Sequence, residues 1–264
     1  MNVLAKIIII FWISAFLVKY FLGGNPYHMD LTAILSAPNS GDWFGKDDYG
    51  RSIFFRLIDG FKNSVEIIFF VTIFTSTIGI TIGTLAGYFG GKFDAIITFV
   101  INLFMSFPGI LLAIAFAAML SPGKINLIIA LSVGGWVGYA RLARGQTLLV
   151  KNYDFVIASE SMGSSHSRKI TQHILPALRT PLIVEGTYAI AGLIIAEASL
   201  SFLGLGIQAP NASWGSMMRD SVSYLLVAPH YSTLVGLSIM SLVYCVNLTG
   251  DYLDQYWDIK KGQL

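Results

Sequence analysis

The sequence predicts an all-α, polytopic membrane protein with about six transmembrane helices. Two observations carry this expectation. Of 264 residues, 55% are hydrophobic and only 12% are charged, whereas soluble domains carry about 25% charged residues. Six windows are also long and apolar enough to cross a bilayer, which takes about 20 residues: 5–22, 64–89, 94–120, 125–148, 182–205 and 231–250. The net charge of +2 is too small to point to a nucleic-acid partner. Cys245 is the single cysteine, so no disulfide forms within the chain.

The first window, "MNVLAKIIIIFWISAFLVKYFLGG", has a signal-like opening but no small-x-small cleavage site after it. Lys19 and Tyr20 suit an interfacial anchor. We read an uncleaved first span, with a cleaved signal as the weaker alternative. A polar tract over residues 23–63 follows. The second window holds Gly79, Gly83, Gly87 and Gly91, four residues apart. On a helix these form one smooth stripe, and such stripes let helices approach closely in lipid. Gly134, Gly135 and Gly138 read the same way on the fourth window. Pro108 is expected to kink the third window, which suits a pathway helix.

Catalytic groupings are missing. The chain has no HExxH, no GxSxG and no Walker A loop. Its four His residues are scattered. Glu185 and Glu197 fall in the fifth window, but twelve residues of helix turn them about 120° apart, so they do not form a pair. Glu197 is the deeper one, and intramembrane acids are functional candidates. A hydrogen-bonded structural acid is an equal reading. Cations divide ten against seven between the two sides when both termini are placed inside with residues 149–181, which favours that orientation.

The stretch "KNYDFVIASESMGSSHSRKITQHILP" interrupts this apolar chain. It reads as two short helices about Gly163, Tyr153–Met162 and Ser165–Leu175, the glycine permitting the turn. Phe155, Val156 and Met162 are apolar knobs on the first, with Asp154 and Glu160 as a polar rim. On the second, Ile170, Ile174 and Leu175 oppose Arg168 and Lys169. Pro176 and Pro181 are expected to end the segment. A projecting amphipathic helix suits a groove on another protein. A helix lying flat on the bilayer is the competing reading.

This segment resembles the EAA loop of ABC-importer permeases, with Ile157, Ala158, Ser159, Gly163, Leu175 and Pro176 at the matching positions. Ile157 stands where Glu is usual and Ser159 replaces the second Ala. "HILP" is similar to the ending found in the dipeptide/oligopeptide/nickel group. "WFGKDDYGRS", "GWVGYARLARGQ", "AEASLSFLGLGIQAPNASWGSMM" and "NLTGDYLDQ" resemble that group's further signatures, in order, from about Trp43 to about Asp254.

The resemblance implies a C-type permease subunit with the type I ABC importer fold. It places a first helix and an extracytoplasmic tract in residues 1–63, and the core domain in 64–264 with a cytoplasmic coupling loop at 151–180. It implies a B-type permease partner, one or two cytoplasmic ATPases, an extracytoplasmic substrate-binding protein and location in a bacterial or archaeal inner membrane. The chain itself is then no enzyme and holds no cofactor, since ATP and Mg bind the partner ATPases. The coupling residues implied are Asp154, Phe155, Ile157, Ala158, Ser159, Glu160, Gly163, Leu175 and Pro176. Pro108, Glu197 and Trp214 are the candidate pathway or gating positions. Di- and oligopeptides are the expected substrates, with nickel or another metal chelate as the alternative. A stand-alone secondary transporter or channel is the distant one, lacking the internal repeat such a fold carries.

Overall fold

The computed structural model describes residues 23–261, with side chains to residue 256, and scattered positions of the N-terminal stretch (Lys6, Ile8, Ile10–Trp12, Ser14 and Leu17). The window at 5–22 therefore lies largely outside the described residues. Helices account for nearly all regular structure: α1 Ile53–Phe89, α2 Gly91–Met105, α3 Gly109–Met119, α4 Lys124–Val150, α5 Asp154–Ser161, α6 His166–Lys169, α7 Leu175–Phe202, α8 Trp214–Val222 and α9 Pro229–Lys261. A π-helical turn, Ile170–Ile174, joins α6 to α7. Among the described residues there is no strand, only an isolated bridge between Lys46 and Ser52.

Four helical stretches are long and apolar enough to span a bilayer: Ile53–Phe89, Lys124–Val150, His166–Phe202 and Pro229–Tyr256. Helices α2 and α3 qualify as a fifth only together, bent by 84°. The bend is sharper than a proline kink. Pro108 sits immediately before α3, and its carbonyl accepts from Leu111 and Leu112. At a helix start the missing N–H costs nothing, so the chain breaks and restarts there. Large apolar side chains such as Phe69, Phe74 and Ile78 are exposed along α1, as a lipid-facing helix requires.

The chain packs as two compact units. The first comprises Met1–Phe70, Ile114–Leu131 and Ile190–Thr249. Its core is Trp214, which is 1% exposed and donates from Nε1 to the Leu57 carbonyl at 2.9 Å. Trp12 and Phe61 stack against each other at 5.0 Å beside it. Gly60 makes room: a Cβ there would lie 2.7 Å from the Trp214 ring. Asn63 Nδ2 donates to the Ala212 carbonyl. Ser213 and Ser216 form a capping box that starts α8. The polar tract turns around Asp47, which is fully buried. Its carboxylate accepts from the backbone N–H of Tyr49 and Arg51 and from Arg51 Nε at 2.7 Å. Arg56 Nε lies 3.2 Å away.

The second unit comprises Val71–Ala113, Ser132–Ala189 and Gly250–Leu264. Here α1 and α4 run parallel in close contact. A Cβ on Gly79, Gly83 or Gly87 would strike the carbonyls of Trp136, Ala140 and Arg144 in turn. Both series advance by four residues, so a smooth stripe meets the ridge of the partner. Gly91 departs from the expectation: with φ 60 and open space around it, it begins α2 rather than extending the stripe. Arg144 binds Asp94 of α2 with two parallel hydrogen bonds, and Lys151 Nζ caps the Gly87 carbonyl at 2.9 Å.

Two outcomes are expected. Gly83→Val overpacks a backbone contact and should destabilise the detergent-solubilised protein by about 1–3 kcal/mol or more, seen as a lower melting temperature. Asp47→Asn leaves two buried guanidiniums without their shared counter-charge and should cost about 3–5 kcal/mol. The Asp30→Asn control, at a partly exposed ion pair with Lys46, should lower the melting temperature far less in the same melt.

Candidate coupling surface

The 151–180 stretch folds as a helix, a glycine turn and a second helix. Helix α5 starts at Asp154, whose negative charge complements the helix N-terminus. It ends in a two-bond glycine cap. Gly163, at φ +80, donates to the Glu160 carbonyl at 2.9 Å, and Ser164 donates to the Ser159 carbonyl at 3.1 Å. No side chain crowds Gly163, so the glycine is required by its backbone conformation alone. Ser165 then caps α6 by accepting from the Arg168 N–H.

Val156 and Ser159, three apart on one face, are buried at 3% and 2%. They form the narrow stripe that anchors α5, with Val156 packed in a cluster of Ala143, Val150, Ile174 and Leu178. Everything else on α5 is exposed: Asp154, Phe155, Ile157, Ala158 and Glu160, with Tyr153 and Met162 at its two ends. The helix therefore shows Phe155, Ile157 and Met162, each about half exposed or more, on a surface that would otherwise be polar. Val156 turns inward, while Phe155 and Met162 face out.

The second half differs from expectation in two places. Lys169 is not on the solvent side. It is buried, 3.3 Å from Glu160 Oε1 and over the Tyr88 ring at 5.7 Å, because its long stem covers apolar surface while its charge reaches a partner. Nor do Pro176 and Pro181 end the segment. Pro176 is the second residue of α7 and Pro181 lies within it. The π-turn explains the first: Leu175 N–H reaches the Ile170 carbonyl five residues back. That widens the helix where the Pro176 ring would otherwise strike the preceding turn. Leu175 is half-buried at the joint. The second is tolerated as prolines are in apolar helices.

Sequence reasoning missed Tyr88. Its hydroxyl lies 2.7 Å from His166 Nδ1, and its ring faces Lys169. The end of α1 is thereby tied to the start of α6 across 78 positions of sequence, with no local signal to announce it.

The candidate pathway residues lie in the first unit or at the break before α3. Pro108 is exposed at that break. Glu197 is 1% exposed, with Ser64 and Ser201 hydroxyls donating to its two oxygens at 2.9 Å each. Trp214 lies within its core cluster. Among the described residues no group of three or more His, Cys, Asp or Glu side chains converges as metal ligands.

Comparison with known proteins bears on the family and the fold. Residues 79–258 match the family described as binding-protein-dependent transport system inner membrane component. The dipeptide transport system permease protein DppC of Alkalihalophilus pseudofirmus is 37% identical over 86% of this chain and 74% of its own length. The probable D,D-dipeptide permease DdpC of Escherichia coli is 37% identical over 90% and 80%. The glutathione permease GsiD of Pectobacterium atrosepticum is 36% identical over 98% and 84%. A chain of the MetNI methionine ABC transporter, solved in inward-facing conformations, superposes with a TM-score of 0.65 at 20% identity. It covers 77% of this chain and 97% of that one. The fold is that of an ABC-importer permease.

The glycine turn gives a sharp expectation. Gly163→Val forces a β-branched residue into the left-handed region and should cost about 1–2 kcal/mol. Gly163→Asn, which tolerates that region, should cost less than half as much. Limited proteolysis of the 151–175 stretch checks the ranking, and equal protection of both variants would contradict it.

Proposed function

The chain belongs to the family of binding-protein-dependent transport-system inner-membrane components, and on that premise we propose that it imports di- or oligopeptides as half of an ATP-driven translocation pathway. In this reading a related permease supplies the other half. Cytoplasmic ATPases supply the energy, and an extracytoplasmic binding protein delivers the substrate. The peptide assignment is supported by the relatives, whose names specify dipeptide, D,D-dipeptide and glutathione transport.

The observation that carries the coupling role is the exposed apolar surface of α5. Phe155, Ile157 and Met162 stand out from a helix whose buried side chains are Val156 and Ser159. Exposed apolar side chains at a polar turn suit an interaction site, and an amphipathic helix of this size fits a groove on a partner. Asp154 and Glu160 flank that surface. Gly163, Leu175 and Pro176 fix how the helix is carried into α7. The distribution of Lys and Arg supports a cytoplasmic side for this face and for both termini.

Transport then follows as linkage. ATP binding closes the ATPase pair and moves the docked helix. The permease equilibrium shifts toward its outward-open state by no more than the difference in ATP-bound affinity between the two states.

The test is purification of the tagged chain from its own host in mild detergent, followed by reconstitution. A second permease and an ATPase should co-purify, and peptide uptake should require ATP. Ile157→Asp should lower ATPase recovery about tenfold, equivalent to about 1.4 kcal/mol of docking energy. Gly163→Val should retain ATP hydrolysis while uptake falls. A chain that transports alone, without ATP, would overturn the reading.

A further inference from the structure

One cavity in the first unit plays no part in the coupling surface. It has a volume of about 460 Å³, within the usual range of small-molecule sites. Its lining includes Asp48, Arg51, Arg56, Asn211, Arg219 and Asp220.

The charges on those walls are not balanced pair by pair. Asp47 is shared: it accepts from Arg51 and two backbone amides and is also the ion-pair partner of Arg56. Arg56 is only 3% exposed, yet its Nη1 has no hydrogen-bond partner, and its Nε, though close to Asp47, is not aligned to bond it. A guanidinium buried with free N–H groups is costly. It is also the group best shaped to take a carboxylate. Asp48 has the converse defect. Its Oδ1 is buried without a hydrogen bond, and the nearest cation, Arg51 Nη2, is 3.7 Å away. Burial, and then Asp47 and Asp220, push its carboxyl above the usual range, against Arg51. Asp220 pairs with Arg219 in a half-exposed contact at 3.2 Å. The cavity thus sets a guanidinium with unused N–H groups beside two carboxylates, one of them with an unused oxygen. A simple anion would meet Asp48 and Asp220, and a simple cation would meet Arg56.

We propose that this cavity is a binding site for a zwitterionic short peptide, with Arg56 receiving the carboxylate and Asp48 with Asp220 receiving the ammonium. The inference rests on the peptide-import reading and adds a substrate contact in the permease itself, separate from the binding protein.

The experiment is calorimetric titration of tri-alanine into the assembled transporter in nanodiscs, with the binding protein absent. N-acetyl tri-alanine and tri-alanine amide are titrated in parallel. Saturable binding of tri-alanine is expected, with each blocked form at least tenfold weaker. Asp220→Asn, at a side chain 25% exposed, should weaken tri-alanine but leave the N-acetyl form unchanged. Arg56→Lys should weaken tri-alanine and leave the amide unchanged. Absence of saturable binding, as a merely water-filled cavity would give, overturns the proposal, as does equal binding of free and blocked forms. If Asp220→Asn instead lowers affinity for the binding protein while tri-alanine does not bind, the cavity is a docking notch and the proposal fails. ATP-driven tri-alanine uptake is measured on the same preparation with the binding protein restored. Uptake without cavity binding sinks this inference alone, and failure of every peptide to be transported sinks the peptide reading.

Discussion

Helix α1 carries no side chain at Gly60, Gly79, Gly83 and Gly87, and both units are built on those gaps. At Gly60 the gap admits the Trp214 ring, which reaches through to the Leu57 carbonyl. At the other three it admits the backbone of α4. In lipid there is no hydrophobic drive between helices, because the solvent is as apolar as the side chains. Close packing must supply the attraction, and packing depends on distance. A methyl group on the stripe would hold the two backbones apart and forfeit contacts along several turns.

Charge follows the same economy. Asp94 and Arg144 share parallel hydrogen bonds, Lys169 reaches Glu160, and Glu197 is held by two serine hydroxyls. Each of these groups is satisfied close at hand, as burial demands. Arg56 and Asp48 stand apart from that pattern within one cavity, which is why the cavity invites a ligand. Glu197, by contrast, has both oxygens engaged and sits as a structural acid in this state.

The coupling surface combines a firm mount with an open face. Val156 and Ser159 seat α5, the two-bond cap at Gly163 sets its exit angle, and the Tyr88–His166–Lys169 contacts tie the following turn to α1. The outward half keeps Phe155, Ile157 and Met162 exposed. In the proposed coupling role such a helix would pass a push from a partner into α7, because the π-turn keeps the helix continuous through Pro176.

The sequence by itself determined the membrane class, four of the spans, the close-packed glycine stripe and the helix–glycine–helix layout. These depend on local quantities: hydropathy over about 20 residues, a spacing of four, and a backbone angle that favours glycine. The order of the signature stretches pointed to the family for the same reason, since motifs are read along the chain. Tertiary structure alone decided the rest. It turned Lys169 inward, because Tyr88 and Glu160 arrive from elsewhere in the sequence. It made Pro108 a break and carried Pro176 through, because each outcome depends on which carbonyl lies beside the ring. It also gathered Asp48, Arg56 and Asp220 around one cavity, although Asp48 and Asp220 are 172 positions apart. Periodicity says which face of a helix is apolar, but only packing says which charge finds a partner and which is left waiting.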